Sequence, residues 1–420
     1  MPNETQDHRF PCPQCGADLR FSPGEGKLIC DHCGYSEPLT TPRAGSRPIE
    51  ELDLRRGLEA ALPEAEMEVT RTSRCPNCGA VIEFDPAVHS AECPFCATPV
   101  VTGTGENRHI KPRGLAPFDI TEREARGAMN RWLGSLWFAP SGLQDYARKG
   151  RAMQGVYVPY WTFDADTRSR YSGRRGTVYY ESQPVQVRDQ QGRVRTEMRQ
   201  VAKIRWTPVS GRVARFFDDV LILASRSLPK SHTDALLPWD LTRLEPYRPE
   251  FLAGFRAEGY TVSLEDGLSE ARAWMDRMIE RDVRFDIGGD RQEIHNIDTE
   301  VSDVTFKHIL LPVWTAAYRY NRKSYRFVVN GQSGRVQGER PWSVWKIALA
   351  VLLALVLLAG LLALNEKSGF LRIGRAGDAA TQVTAGLPMK SLPPHGSYRY
   401  QRTLSDTAAI AGPARREEAT

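Results

Sequence analysis

The chain lacks the short motifs on which nucleotide-driven and metal-dependent catalysis usually rests. There is no phosphate-cradling GxxxxGK[ST] loop, since Gly24-Glu-Gly-Lys27 has the wrong spacing, and no DExH or DExD box to hold magnesium. ATP-driven helicase chemistry is thereby excluded. No HExxH and no nucleophile elbow occurs either, and His109, His232, His295 and His308 are scattered. Charge of one sign is also scarce: 56 Lys and Arg against 51 Asp and Glu leave +5 over 420 residues, so the global balance does not by itself imply nucleic acid. Met1 to Arg9 is polar, without the apolar core of a secretion signal. Cysteines that are not exported stay reduced, which weighs against a disulfide framework.

Cysteine is missing after position 96, and all eight in the chain fall in one repeated pattern before it. Cys12-Pro-Gln-Cys15-Gly-Ala, Phe21-Ser-Pro23 and Cys30-Asp-His-Cys33 are matched by Cys75-Pro-Asn-Cys78-Gly-Ala, Phe84-Asp-Pro86 and Cys93-Pro-Phe-Cys96. In both halves 14 residues separate the CxxC pairs. A CxxC turn puts two thiolates on one side of a tight knuckle, and two knuckles at the ends of a short hairpin complete a tetrahedral site for Zn2+. Two zinc ions are expected, one per unit. Units this small cannot bury enough apolar surface to fold alone, and zinc binding supplies on the order of 10 to 16 kcal/mol. His32 lies within a knuckle but four cysteines already fill the shell.

Long apolar runs are absent except for one. Ile347 to Leu364 holds 18 consecutive residues with no charge or strongly polar group, about 27 Å at helical rise. It has no polar stripe, as a buried core helix on a globular body would, and Trp342, Trp345, Lys346 and Lys367 flank it as interfacial residues do. The expectation is a single-pass helix in the cell membrane, with residues 1–340 in the cytoplasm on the argument of reduced thiols, because the basic residues flanking the span do not decide its orientation.

Between these marks the pattern reads as α+β. Ile49 to Leu62 suggests a short helix in a linker. Thr121 to Glu124 has capping-box form ahead of Ala125, Ala128, Met129, Trp132, Leu133 and Leu136, and Pro140 stops that helix. Strands are expected at 156–163, 177–180, 185–187, 194–198, 201–206 and 220–224, with a turn at 189–192. A second helix is expected from about Gly267 to Glu280, then strands at Val283–Ile287 and 293–297 around a Gly288-Gly289-Asp290 turn. Asp286 and Asp290 have metal-ligand chemistry, but a hairpin turn accounts for them. Val156-Tyr-Val-Pro-Tyr-Trp-Thr162 matches Ile309-Leu-Leu-Pro-Val-Trp-Thr315, each preceded by an amphipathic helix. The expected layout is a zinc ribbon at 10–38, a linker at 39–72, a second ribbon at 73–100, and a β-rich α+β domain with an internal two-fold repeat at 112–340. A transmembrane helix at 345–365 and a disordered tail at 366–420 complete it, with the two ribbons as beads free to tilt against each other.

The order of features resembles a bacterial family described as proteins with a zinc ribbon like that of transcription factor B. Its members are also commonly labelled as the replication-restart helicase, primosomal protein N'. The likeness rests on the CPxCGA knuckles, Val156 to Phe163, Leu237 to Leu241, Asp286 to Gln292, Phe306 to Tyr320 and Val329 to Pro341, and covers roughly residues 10–345. It brings zinc but no established activity, and the missing phosphate loop argues against the helicase label.

Two function classes follow. One is a non-enzymatic, membrane-tethered adaptor for a protein partner. The other is a nucleic-acid-binding protein tethered to the membrane, using the ribbons or the basic stretch that holds Arg168, Arg170, Arg174, Arg175, Arg193, Arg195 and Arg199. A solvated strand face or anionic lipid explains that stretch as well. The hairpin of the first ribbon is mildly basic (Arg20, Phe21, Lys27) and that of the second acidic (Glu83, Phe84, Asp85, His89), which favours protein contacts for the second.

Overall fold

The computed structural model describes residues 10–39, 49–83, 90–96, 98–101, 105–140, 153–188, 192–320 and 323–368. Most of the expected tail, the Phe84-Asp-Pro86 segment with His89, and residues 189–191 of the expected turn lie outside the described residues.

Strands β1 (Arg20–Ser22), β2 (Lys27–Ile29) and β3 (Ser36–Pro38) form a small antiparallel sheet. A short β4 (Leu52–Asp53) leads into α1 (Leu54–Leu58), which is capped by the Asp53 side chain. Then come β5 (Met67–Arg74), β6 (Val81–Glu83), β7 (Ser90–Glu92), β8 (Pro99–Val101), β9 (Gly105–Ile110), β10 (Gly114–Leu115) and α2 (Glu122–Ser135). Two very long strands follow, β11 (Gln154–Arg188) and β12 (Val194–Leu223). After α3 (Lys230–Asp234), β13 (Glu245–Pro246) and β14 (Arg256–Gly259), helix α4 (Leu264–Ile287) precedes a third long strand, β15 (Arg291–Tyr320). Strands β16 (Lys323–Asn330) and β17 (Val336–Gly338) and helix α5 (Val344–Ser368) end the described chain. The main sheet runs β13-β10-β15-β11-β14-β6-β5-β9, with β12 added to β11 and β4 and β16 to β15.

The centre of that sheet is the antiparallel pairing of β11 with β15. The two matching sequence blocks lie against each other there: Val158 opposes Leu311, Tyr157 opposes Pro312, and Pro159 opposes Leu310. The register places equivalent residues symmetrically about the Val158–Leu311 rung. Outside the pair, β10 runs parallel to β15 with Gly114 against Ile309, and β14 runs parallel to β11 with Arg256 against Val156. Each block's tryptophan then reaches across to the start of a helix. Trp161 Nε1 donates to Val262 O at 3.1 Å, just ahead of the Ser263 cap of α4; Trp314 Nε1 donates to Ile120 O at 3.0 Å, just ahead of the Thr121 cap of α2. Tyr260 packs at a tilt against Trp161 and Phe118 against Trp314, both at 4.9 Å between ring centroids.

The capping box at Thr121 and Glu124 forms as expected. Helix α4 is longer than its sequence suggested, and the expected strand at Val283–Ile287 is its last turns. Leu264, Leu268, Ala271, Met275, Ile279, Val283 and Ile287 are all buried at helical spacing, whereas a five-residue alternation fits either period. Gly288, at φ 66°, ends the helix in the left-handed region, so the Gly-Gly stretch joins a helix to a strand instead of closing a hairpin. The separate strands expected between 156 and 206 are continuous parts of β11 and β12, with a register shift at Phe163/Ala165 absorbed as a bulge.

The ribbons are not loose beads. Cys75, Ile82, Cys93 and Phe95 share a core with Val156, Val158, Tyr160, Leu311 and Val313. Cys12, Phe21, Leu28 and Cys30 share another with Tyr157, Leu310 and Trp314. Residues 156, 158 and 160 alternate with 157 along β11, so the two ribbons pack on opposite faces of the central strand pair. The expected linker is structured as well where it is described: β4 pairs with β15, β5 joins the main sheet, and the helix covers only Leu54–Leu58.

Replacing the buried Trp161 by alanine is expected to cost about 3 to 5 kcal/mol of unfolding free energy, and Trp161→Phe about 1 to 2, because phenylalanine keeps most of the packing but strands the Val262 carbonyl. Denaturant unfolding in detergent measures both; a Trp161→Phe variant as stable as the wild type would remove the hydrogen bond from the argument.

Candidate metal centres

Each knuckle is closed by its own backbone. Gly16 N donates to Cys12 O at 2.8 Å, Gly34 N to Cys30 O at 3.0 Å and Gly79 N to Cys75 O at 3.0 Å. These glycines have φ of 76°, 76° and 74°, the left-handed region where a Cβ is costly. The residue after each glycine, or its counterpart in the last knuckle, then accepts from the first cysteine: Cys12 N to Ala17 O, Cys30 N to Tyr35 O, Cys75 N to Ala80 O and Cys93 N to Thr98 O. The turns aim sulfurs inward in pairs. Cys12 and Cys33 Sγ lie 3.6 Å apart and Cys15 and Cys30 Sγ 3.5 Å; Cys75 and Cys96 Sγ lie 3.6 Å apart and Cys78 and Cys93 Sγ 3.5 Å. In each set all four sulfurs fall within 4.8 Å of one another. A tetrahedron with Zn–S bonds of about 2.3 Å has edges near 3.8 Å, so both clusters fit Zn2+. His32 is exposed and outside the sulfur set.

Within each cluster the thiols diverge, one being drawn down while Cys15 and Cys33 in the first and Cys75 and Cys93 in the second are pushed up. Amide hydrogens of the Cys33 and His32 backbone draw Cys30 down to about 6, and the Cys93 thiol draws Cys78 down to about 5. The two sites differ in access. Cys15 and Cys33 are exposed, whereas in the second site Cys75, Cys93 and Cys96 are buried and Cys78 is half-buried. Ribbon 2 is held from outside as well, by Thr315 Oγ1 donating to Pro94 O at 2.9 Å and Arg256 donating to Glu92 O at 3.1 Å.

Residues 6–37 match the family model for the zinc-finger of RNA-polymerase I-specific TFIIB, Rrn7. The N-terminal module is a zinc ribbon. With the second four-cysteine cluster, the chain has sites for two Zn2+. The protein YdjG of Bacillus subtilis (strain 168), itself uncharacterized, is 25% identical over 341 residues, which cover 81% of this chain and 92% of that relative. No solved structure matches the chain.

The basic stretch is divided by the fold. Arg168 and Arg170 face Glu300 and Asp298 across the β11–β15 ladder. Arg174 is ion-paired with Glu293 and lies 5.3 Å over the Trp206 ring, and Arg175 donates to Ile287 O. Arg193, Arg195 and Arg199 lie elsewhere, beyond the end of β15. Asp286 accepts from the Tyr171 hydroxyl and Asp290 from Val178 N, and they form no metal-ligating group. His308 is buried, with Nδ1 2.7 Å from Ile110 O. Its surroundings, with Glu68, Thr70, His109 and Tyr247, enclose about 20 Å³, room for one water. Helix α5 contains an 18-residue apolar stretch, Val344–Leu361, long enough to cross a membrane and not buried against the protein.

Sequence reasoning missed one charged cluster. Lys307 Nζ lies 2.8 Å from Glu51, 3.3 Å from Asp164 and 2.8 Å from Asp219. Asp164, Asp218 and Asp219 place carboxylate oxygens within 4.8 Å of one another, an arrangement suited to a cation, and the Lys307 ammonium supplies that charge. Nothing in the sequence joins residues so far apart. Burial and the Glu51 carboxyl push Asp164 up to about 7; burial opposes it, but hydrogen bonds from Asp164 and Lys307 hold Glu51 down to about 2.

Two outcomes follow. Wild-type protein is expected to carry two zinc ions by elemental analysis, and Cys15→Ser and Cys78→Ser one each. Cys78→Ser should lower the melting temperature of the body more than Cys15→Ser, because its site is the more deeply buried of the two; equal loss in both variants would contradict that asymmetry. For the charged cluster, Lys307→Ala is expected to cost about 3 to 5 kcal/mol by leaving buried carboxylates unpaired. Asp164 binds its proton more tightly folded than unfolded. Its contribution is therefore full below about pH 4 and lost as the pH rises through about 7, while that of Glu51 is lost as the pH falls towards about 2. Asp164→Asn should flatten the upper slope in a pH series of denaturant midpoints.

Proposed function

We propose that the chain is a membrane-anchored, non-enzymatic adaptor that presents its first zinc ribbon to a protein partner at the cytoplasmic face of the membrane. The observation that carries this reading is the closed coordination of both metals. Four thiols of this chain fill each shell, so no position is open for a water or substrate, as a catalytic zinc requires. What the first ribbon does offer is surface: Gln14, Cys15, Asp31, His32 and Cys33 are exposed on its two knuckles. Helix α5 acts as the single-pass anchor, with residues 1–340 cytoplasmic because free thiols persist there.

A nucleic-acid role is the second reading, supported by the likeness of residues 6–37 to a transcription-factor zinc finger. The hairpin of that ribbon speaks against it. Phe21 is buried against Phe251, Arg20 pairs with Asp31 at 2.6 Å, and Lys27 pairs with Glu25 at 3.2 Å, so its aromatic and basic groups are already engaged. The primosomal label adds only the ribbon, because the chain lacks a helicase's phosphate loop.

The test is a pull-down of the full chain from solubilised membranes with zinc retained. A stoichiometric protein partner that is lost at least tenfold in a Gln14→Ala/His32→Ala variant with both zinc ions present is the expected result. Nuclease-sensitive material that falls steeply with added salt would replace the adaptor with the second reading. Recovery of the chain without detergent would end the anchoring claim.

A further inference from the structure

The arginines of β11 meet their acidic complement on β15, at Glu300, Asp298 and Glu293. That complement stops abruptly. The last rung between β11 and β15 joins Gly176 to Arg291, but β11 and β12 stay paired from Thr177 with Arg205 out to Arg188 with Val194. A bare two-stranded arm therefore extends about 40 Å past the sheet at the usual strand rise. Such a ribbon, with water on both faces, is marginal by itself.

Its two faces differ. Directly opposed residues share a face, so Val178 with Ile204, Tyr180 with Ala202 and Pro184 with Met198 line one side. Tyr180 and Met198 are 68% and 65% exposed. The other side carries a row from β12, with Arg205, Lys203, Arg199 and Arg195 spaced along it. Lys203 pairs with Glu181, and Arg205 lies 5.1 Å over the Tyr179 ring. Arg195 and Arg199 of that row, with Glu197 between them, and Arg188 at the tip of the opposite face are exposed, and among the described residues none of the three arginines forms an ion pair.

We propose that this arm lies on the surface of an anionic bilayer, its Tyr180–Met198 face in the headgroup boundary and its arginines on lipid phosphates and carboxylates. Apolar residues on one face and Lys and Arg on the other are the pattern of elements that lie in the membrane interface. A duplex would satisfy the arginines but leave Tyr180, Met198 and Ile204 in water. The bilayer satisfies both faces. The inference rests on the membrane-anchored reading.

Full-length protein with benzoylphenylalanine at Tyr180 is reconstituted in nanodiscs of phosphatidylcholine alone or with about one-third phosphatidylserine, and photo-adducts are identified by mass spectrometry. Lipid adducts are expected to rise about tenfold or more with phosphatidylserine, and to return to the neutral-disc level in Arg188→Gln/Arg195→Gln/Arg199→Gln and at high salt. Retention of two zinc ions controls for folding. Absent lipid adducts, or adducts indifferent to lipid charge, overturn the proposal; covalent dimers or adducts to added duplex DNA overturn it in favour of a second copy or nucleic acid. Co-elution with neutral discs reports the anchor separately. If the anchor fails, adducts are read on anionic vesicles added to the free chain, so the two failures are distinguishable.

Discussion

Everything in the body depends on one ladder, the antiparallel pairing of β11 with β15 about the Val158–Leu311 rung. Both strands are buried on both faces at that point, which no ladder tolerates unless each face is covered. The ribbons provide the covers. Ribbon 2 supplies Ile82, Phe95 and its cysteines to one face, and ribbon 1 supplies Phe21 and Leu28 to the other. Trp161 and Trp314 then tie each strand to the capped start of a helix, fixing where α4 and α2 begin.

Zinc in this arrangement is part of the core and not an appendage to it. The second cluster sits among Val156, Leu223 and Leu311, and a sulfur tetrahedron held there packs as a covalent cross-link between two knuckles would. The first cluster reaches the body through apolar contacts below it and leaves its outer sulfurs towards solvent. Identical spacing in the sequence thus yields one embedded and one accessible site, because the surroundings and not the knuckles set burial.

What the sequence disclosed was local. The knuckles, the Thr121–Glu124 box and the apolar run from Ile347 each encode their structure within a short window, so composition and spacing suffice. What it concealed was pairing at a distance. Val283–Ile287 satisfies period two and period 3.6 equally over five residues, and only continuity with Ile279 resolves it as helix. Lys307 gathers Glu51, Asp164 and Asp219 from three remote segments, which no window contains. The basic stretch looked uniform in sequence; β15 divides it, setting Glu300 and Asp298 opposite Arg168 and Arg170 and pairing Glu293 with Arg174, while the arm runs on beyond it.

The central ladder also dictates an order of events at the ribosome. Both ribbons emerge early, yet the face each must cover is unfinished until Ile309 to Thr315 has left the exit tunnel, because β15 is half of that face. Residues 10–300 therefore wait with metal sites formed and apolar flanks open, the state in which long-range β-pairing is slow and exposed to misassembly. The apolar helix beginning at Val344 follows closely behind. Closure of the body and emergence of that helix thus fall within the same brief interval of synthesis.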